Sequence, residues 1–232
     1  MKINTKERII HLCRNNCNGD IVVFTHGLYC SYSSEFMKYI ISFLVNKGLV
    51  VIAFEFKYFS EKRLPSKNLS REAQELAEVI NYVKGKYGHK KIHLLGKSLG
   101  GIVNLTYYLT IGGNKVKSLV QLGMPIKLGY PPKPELLKKD NPVLPRYLLE
   151  YRNLFRKFDN SRNKFFVIQG TNDDLYDRKM ENIVWKKNIF YIKNADHNFI
   201  DYKNPKKKYY KECSVQISSI LEVLKFSTKK KQ

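Results

Sequence analysis

Residues 91–101 read Lys91-Ile92-His93-Leu94-Leu95-Gly96-Lys97-Ser98-Leu99-Gly100-Gly101. The first part, KIHLL, is a short, largely apolar run of strand length; after the glycine-serine stretch, apolar residues continue at helical spacing. Between them lies G-x-S-x-G, the pattern of a nucleophile elbow when it joins a strand to a helix. There the serine occupies a sharp turn that lifts its hydroxyl clear of the sheet. Glycines two residues before and after it avoid collisions across that turn. Ser98 would then sit at a helix N-terminus, where free N–H groups favour developing negative charge. A phosphate-binding loop ending in Gly-Lys-Ser needs a glycine five residues before Gly96. Lys91 stands there instead, and the apolar run reaches Gly96 with no flexible loop. A serine that merely caps the helix stays open on these residues alone.

Working outward, strand and helix patterns alternate. Asp20–Thr25 and Leu49–Phe56 are runs suited to strands buried on both faces. Phe36, Ile40, Phe43 and Leu44 mark a helix closed by Gly48, and Ala73, Leu76, Ala77, Ile80 and Val83 line another, from near Ser70 to Gly85–Gly88. Ser98–Ile111 predicts a helix ending at Gly112–Gly113. Val116–Leu122, Lys164–Gln169 and Asn188–Ile192 are further strands, and Ile217, Ile220, Leu221 and Leu224 mark a last helix. Such an order predicts an α/β fold: one domain over residues 1–232, with a mostly parallel sheet and helices on both faces. Residues 123–163 carry Pro125, Pro131, Pro132, Pro134, Pro142 and Pro145, then a helical-looking Arg146–Phe158, and read as a small lid-like insertion.

In a sheet of this kind ligands bind at the carboxyl ends of the strands, which narrows the search to a few loops. A serine hydroxyl needs a base, and the base an acid to orient it. His197 follows the last strand and precedes the last helix, whereas His11, His89 and His93 lie elsewhere and His26 reads as a brace for the first loop. Asp173, just past Lys164–Gln169, is the expected acid, with Asp174 and Asp177 as alternatives; Asp196 adjoins the histidine too closely in sequence to aim at it. Two backbone N–H groups should receive the oxyanion: Leu99, next to the serine, and Leu28, after Gly27 in the first loop. Tyr29, Met124 and Tyr130 are candidates for an acyl pocket.

The net charge of +22 from 42 basic and 20 acidic residues admits an anionic partner. The excess is mostly lysine spread along the chain, and arginine, favoured for base and phosphate recognition, is scarce, so general surface basicity is expected rather than nucleic-acid binding. Cys13, Cys17, Cys30 and Cys213 read as free thiols. His11, Cys13 and Cys17 lack a fourth ligand for zinc, so an N-terminal strand with incidental thiols is expected there, and no metal. No apolar run approaches the ~18–20 residues of a bilayer span, and the first residues lack the apolar core of a secretion signal. A cytoplasmic protein is expected; the sequence leaves its oligomeric state open.

The motifs THG (Thr25–Gly27), GKSLGG (Gly96–Gly101), QGTNDD (Gln169–Asp174) and NADHNF (Asn194–Phe199) together resemble the α/β-hydrolase superfamily, most closely its compact dienelactone-hydrolase-like and small esterase branches. That resemblance implies a triad of Ser98, Asp173 and His197 with Leu28 and Leu99 as oxyanion donors. It implies hydrolysis of a small acyl substrate (ester, thioester or amide) through an acyl-enzyme, without a cofactor. Lys97 departs from the aromatic residue or histidine usual at that elbow position. Dienelactone hydrolase itself uses a cysteine, so its particular activity is not implied. A catalytically silent hydrolase-fold binding module and a basic nucleic-acid-associated protein are the alternative readings.

Overall fold

The computed structural model describes residues 9–12, 19–28, 30–88, 90–125, 165–176 and 188–226. Its centre is a seven-stranded sheet in the order β1-β3-β2-β4-β5-β6-β7. The strands are β1 (Ile9–Leu12), β2 (Ile21–Thr25), β3 (Val50–Phe54), β4 (Ile92–Lys97), β5 (Ser118–Leu122), β6 (Phe165–Gly170) and β7 (Ile189–Ile192). β2 to β7 run parallel, and β1 closes one edge antiparallel to β3. Every residue of β2 to β6 is buried, as their unbroken apolar runs require.

Both faces are covered, and side-chain alternation decides which residue faces which layer. Ile21, Val23, Val50, Ile52, Ile92 and Leu94 join one core, beneath helices α3 (Ser70–Tyr87) and α4 (Leu99–Tyr107). Val22, Phe24, Val51, Ala53, Leu95 and Val120 join the other, beneath α1 (Glu35–Asn46) and α5 (Tyr210–Phe226). Each such aliphatic side chain removed from water contributes roughly 1.5–3 kcal/mol before conformational entropy is counted. The second core extends to the loop after β7 through the stack of Phe36 on Phe199, with ring centroids 5.4 Å apart.

Three local features differ from the sequence reading. β4 continues through Gly96 and Lys97, because Lys97 pairs with Leu122 of β5. The helix expected to reach Ile111 stops at Tyr107 and widens into a π-helical turn over Tyr108–Gly112, followed by a 3-10 turn over Gly113–Lys115. Thr106 and Thr110 donate their hydroxyls back to Ile102 O and Thr106 O at 2.9 and 2.7 Å, a bonding pattern that loosens and bends helices. A single helical turn, α2 (Lys57–Ser60), was not legible; Glu75 of α3 accepts from its first N–H at 2.8 Å. Most of the lid-like insertion, residues 126–163, lies outside the described residues. No helix among the described residues is long and apolar enough to cross a membrane.

Candidate active site

Ser98 follows β4 with φ 51° and ψ −118°, a sparsely populated conformation for a residue with a side chain, costing roughly 1–3 kcal/mol. It is over-determined by its neighbour strand: Ser98 N–H donates to Leu122 O at 2.9 Å, and Ser98 O accepts from Gln121 Nε2 at 3.0 Å and from Gly101 N–H at 3.0 Å. The flanking glycines are needed for space. A Cβ on Gly100 would stand 2.5 Å from Thr25 O and 2.6 Å from His26 O, and one on Gly96 would run into the backbone of Gly101. The hydroxyl does not cap its helix; it meets an imidazole instead.

His197 Nε2 lies 2.9 Å from Ser98 Oγ, and His197 Nδ1 lies 2.8 Å from Asp173 Oδ2. The three residues come from the loops after β4, β6 and β7, at one edge of the sheet. Asp173 is buried; its Oδ2 also accepts from Gln169 Nε2, and its Oδ1 accepts from Leu175 N–H at 2.9 Å. Burial pushes this carboxyl up, but His197, the Lys97 ammonium and the Leu175 N–H outweigh burial and hold it below the ordinary carboxylate range. Asp174 is exposed beside it. Asp196 Oδ1 accepts from Asn198 and Ile200 N–H, both at 2.8 Å, and so folds the histidine loop rather than meeting the ring. Asp177 lies outside the described residues.

The loop after β2 borders the serine: a Cβ on Gly27 would stand 3.4 Å from Ser98 Cβ. His26 is fully buried. Its Nε2 accepts from Phe56 N–H at 3.0 Å, which leaves the proton on Nδ1, 2.8 Å from Gly27 O. Tyr58 donates to the same carbonyl at 3.0 Å. With Gly27 O fastened, the trans peptide directs Leu28 N–H the opposite way. Among the described residues, no hydrogen bond occupies the N–H of Leu28 or of Leu99. Met124, a pocket candidate, is wholly buried in the core on the α3 and α4 side, its N–H donating to Gln169 Oε1 at 2.8 Å. Tyr29 and Tyr130 lie outside the described residues. No group of three or more His, Cys, Asp or Glu able to hold a metal occurs among the described residues.

Three residues at the site go beyond the sequence reading. Gln169 ties Asp173 to the backbone of Met124, and Gln121 holds Ser98 O. Their one signal was a polar side chain near the end of an apolar strand. Lys97 is the third. It is 3% exposed, donates Nζ to His197 O at 2.5 Å, and lies 5.5 Å from the centre of the Phe199 ring. Burial lowers its proton affinity, and Asp173 opposes that. Gly123, at φ 59°, makes room for this contact: a Cβ there would stand 3.0 Å from both His197 O and Lys97 Nζ.

Residues 18–225 match a family model described as an alpha/beta hydrolase domain. A search of curated proteins by sequence gives no significant match. Among solved structures, the chain is similar to a monoacylglycerol lipase of Paleococcus ferrophilus, with TM-score 0.61, 18% identity and coverage of 93% of this chain and 97% of that one. It is similar to Est1E of Butyrivibrio proteoclasticus with ferulic acid bound, with TM-score 0.68, 12% identity and coverage of 93% and 94%. An esterase of Pyrococcus furiosus matches with TM-score 0.61 and 19% identity over 89% of this chain and 82% of that one. At these identities the likeness is one of fold.

Proposed function

The chain belongs to the α/β-hydrolase family, and from that premise we propose that it is a serine hydrolase cleaving a small acyl substrate, with a carboxylic ester as the preferred bond, through an acyl-enzyme on Ser98. The observation that carries the reading is the unbroken relay from Ser98 Oγ to His197 Nε2 at 2.9 Å and from His197 Nδ1 to Asp173 Oδ2 at 2.8 Å. The esterase and lipase names among the structural neighbours favour an ester over a thioester or amide.

In the proposed reaction, His197 Nε2 takes the proton of Ser98 as its oxygen attacks the substrate carbonyl. Asp173 keeps the second imidazole proton on Nδ1 and stabilises the cation that forms. The tetrahedral oxyanion rests on the N–H groups of Leu28 and Leu99, each donor being worth about 3 kcal/mol in the transition state. The imidazolium returns its proton to the leaving group, and water releases the acyl group by the same steps reversed. All of these groups belong to the chain itself.

A fluorophosphonate probe and a p-nitrophenyl ester test the proposal. Wild-type protein should be labelled and should turn over the ester. Ser98→Ala should lose labelling and at least about a thousandfold of kcat while keeping its melting temperature. A correctly folded wild-type protein inert to both reagents would instead mark a silent hydrolase fold.

A further inference from the structure

At the opposite edge of the sheet, a cavity of about 600 Å³ opens between the end of α3, the start of β4 and the turn before β5. Its wall holds Lys84, Lys90, Lys91, Lys115, Lys117 and Asn114, the rest being glycine and aliphatic residues. Ile92 begins β4 and Lys117 precedes β5, so this is the amino edge of the parallel strands. Five residues of rise place it about 17 Å from the Ser98 edge.

These lysines differ from the others in burial. Among the lysines whose burial is described, Lys57, Lys84, Lys90, Lys91, Lys115 and Lys117 are half-buried and Lys97 is buried, while the others are exposed. All the half-buried ones except Lys57 line this one cavity. No carboxylate is among the described residues that line it. Lys115 donates to Asn81 Oδ1 at 3.2 Å, and Lys90 lies 5.6 Å from the Tyr87 ring centre. Neither contact uses all three donors of an ammonium group. A multiply charged anion entering a concave wall lined by several like charges is attracted by all of them at once.

We propose that this cavity binds a compact phosphate-bearing polyanion, a di- or triphosphate group being the size and charge that fit. The described wall residues include no arginine, the residue that forks onto planar carboxylates, and five point-charge ammonium groups match charge spread over phosphate oxygens. The volume falls in the range of small-molecule sites. The site stands independently of the chemistry at Ser98.

Titration calorimetry with inorganic tripolyphosphate at physiological salt tests it. The variant Lys91→Gln/Lys115→Gln/Lys117→Gln is compared with Lys203→Gln/Lys206→Gln/Lys211→Gln, which removes the same charge from exposed positions. The first should bind at least about tenfold more weakly than wild type, and the second within about twofold. Equal weakening in both, or no wild-type binding, overturns the proposal, because affinity would then follow net charge alone. Thermal melts check the fold. Should the cavity triple variant fail to fold, Lys115→Gln alone should weaken binding by about twofold to threefold, and unchanged affinity would overturn the proposal. Two further ligands identify the source of the phosphate: a nucleoside triphosphate in solution, and vesicles containing a phosphorylated inositol lipid. Loss of either interaction in the cavity variant alone assigns that source. Oligonucleotide binding that persists in the cavity variant while tripolyphosphate fails to bind wild type would overturn the site in favour of a diffuse basic surface.

Discussion

Lys97 buries its amino group one residue before Ser98, and its contact is the carbonyl of His197. Replacing a buried lysine by an apolar side chain of similar length is often close to neutral for stability, whereas loosening the histidine loop disturbs the contact between His197 and Ser98. Lys97→Met should therefore lower kcat about tenfold, roughly 1.4 kcal/mol, with the melting temperature nearly unchanged. Ester turnover and thermal denaturation on the same preparation check both halves, and an unaltered kcat would remove Lys97 from the site. Asp173 gives a pH prediction. Its folded carboxyl lies below the ordinary 3.8, so the unfolded chain binds the proton more readily and stability falls on acidification. The contribution is complete above that ordinary value and is lost as pH drops through the lower folded one. Asp173→Asn should flatten this acid limb in urea titrations from about pH 6 to 2, and should reduce kcat by about 10⁴ through loss of the imidazole's orientation.

At the scale of elements, the elbow joins β4 to α4 with no spare volume, while α3 has some. Gly100→Ala would drive a methyl group into Thr25 O and His26 O and should destabilise the fold by about 3 kcal/mol. Gly85, in the exposed part of α3, meets nothing within 4 Å of an added Cβ, so Gly85→Ala should stabilise by about 0.5–1 kcal/mol. Chemical denaturation of the two variants reads both signs. The strands were legible because burial on both faces leaves an unbroken apolar run, as in IVVFT and VVIAF. The end of α4 was not, since the widening at Tyr108 follows from threonine back-bonding and from the close approach of Gly113 to Tyr108 one wide turn earlier. α2 escaped notice for a related reason: its first N–H is satisfied by Glu75, eighteen positions along the chain.

For the whole molecule, the relay joins residues 98, 173 and 197, so it exists only when the sheet is complete from β4 to β7. Loss of fluorophosphonate labelling and loss of far-ultraviolet ellipticity should coincide along a urea titration. Labelling that vanished well before the ellipticity would show the site opening separately from the sheet. That Ser98, Asp173 and His197 come together was legible from their order and their places after strands. Gln121, Gln169 and the orientation of Lys97 were not, because sequence shows a polar residue near a strand end without showing which partner lies across the layer. Both backbone polar atoms of Ser98 are anchored to β5 or its side chains, and its hydroxyl therefore takes its position from the central sheet. Surrounding helices and loops can accumulate substitutions while that hydroxyl stays where the neighbouring strand holds it.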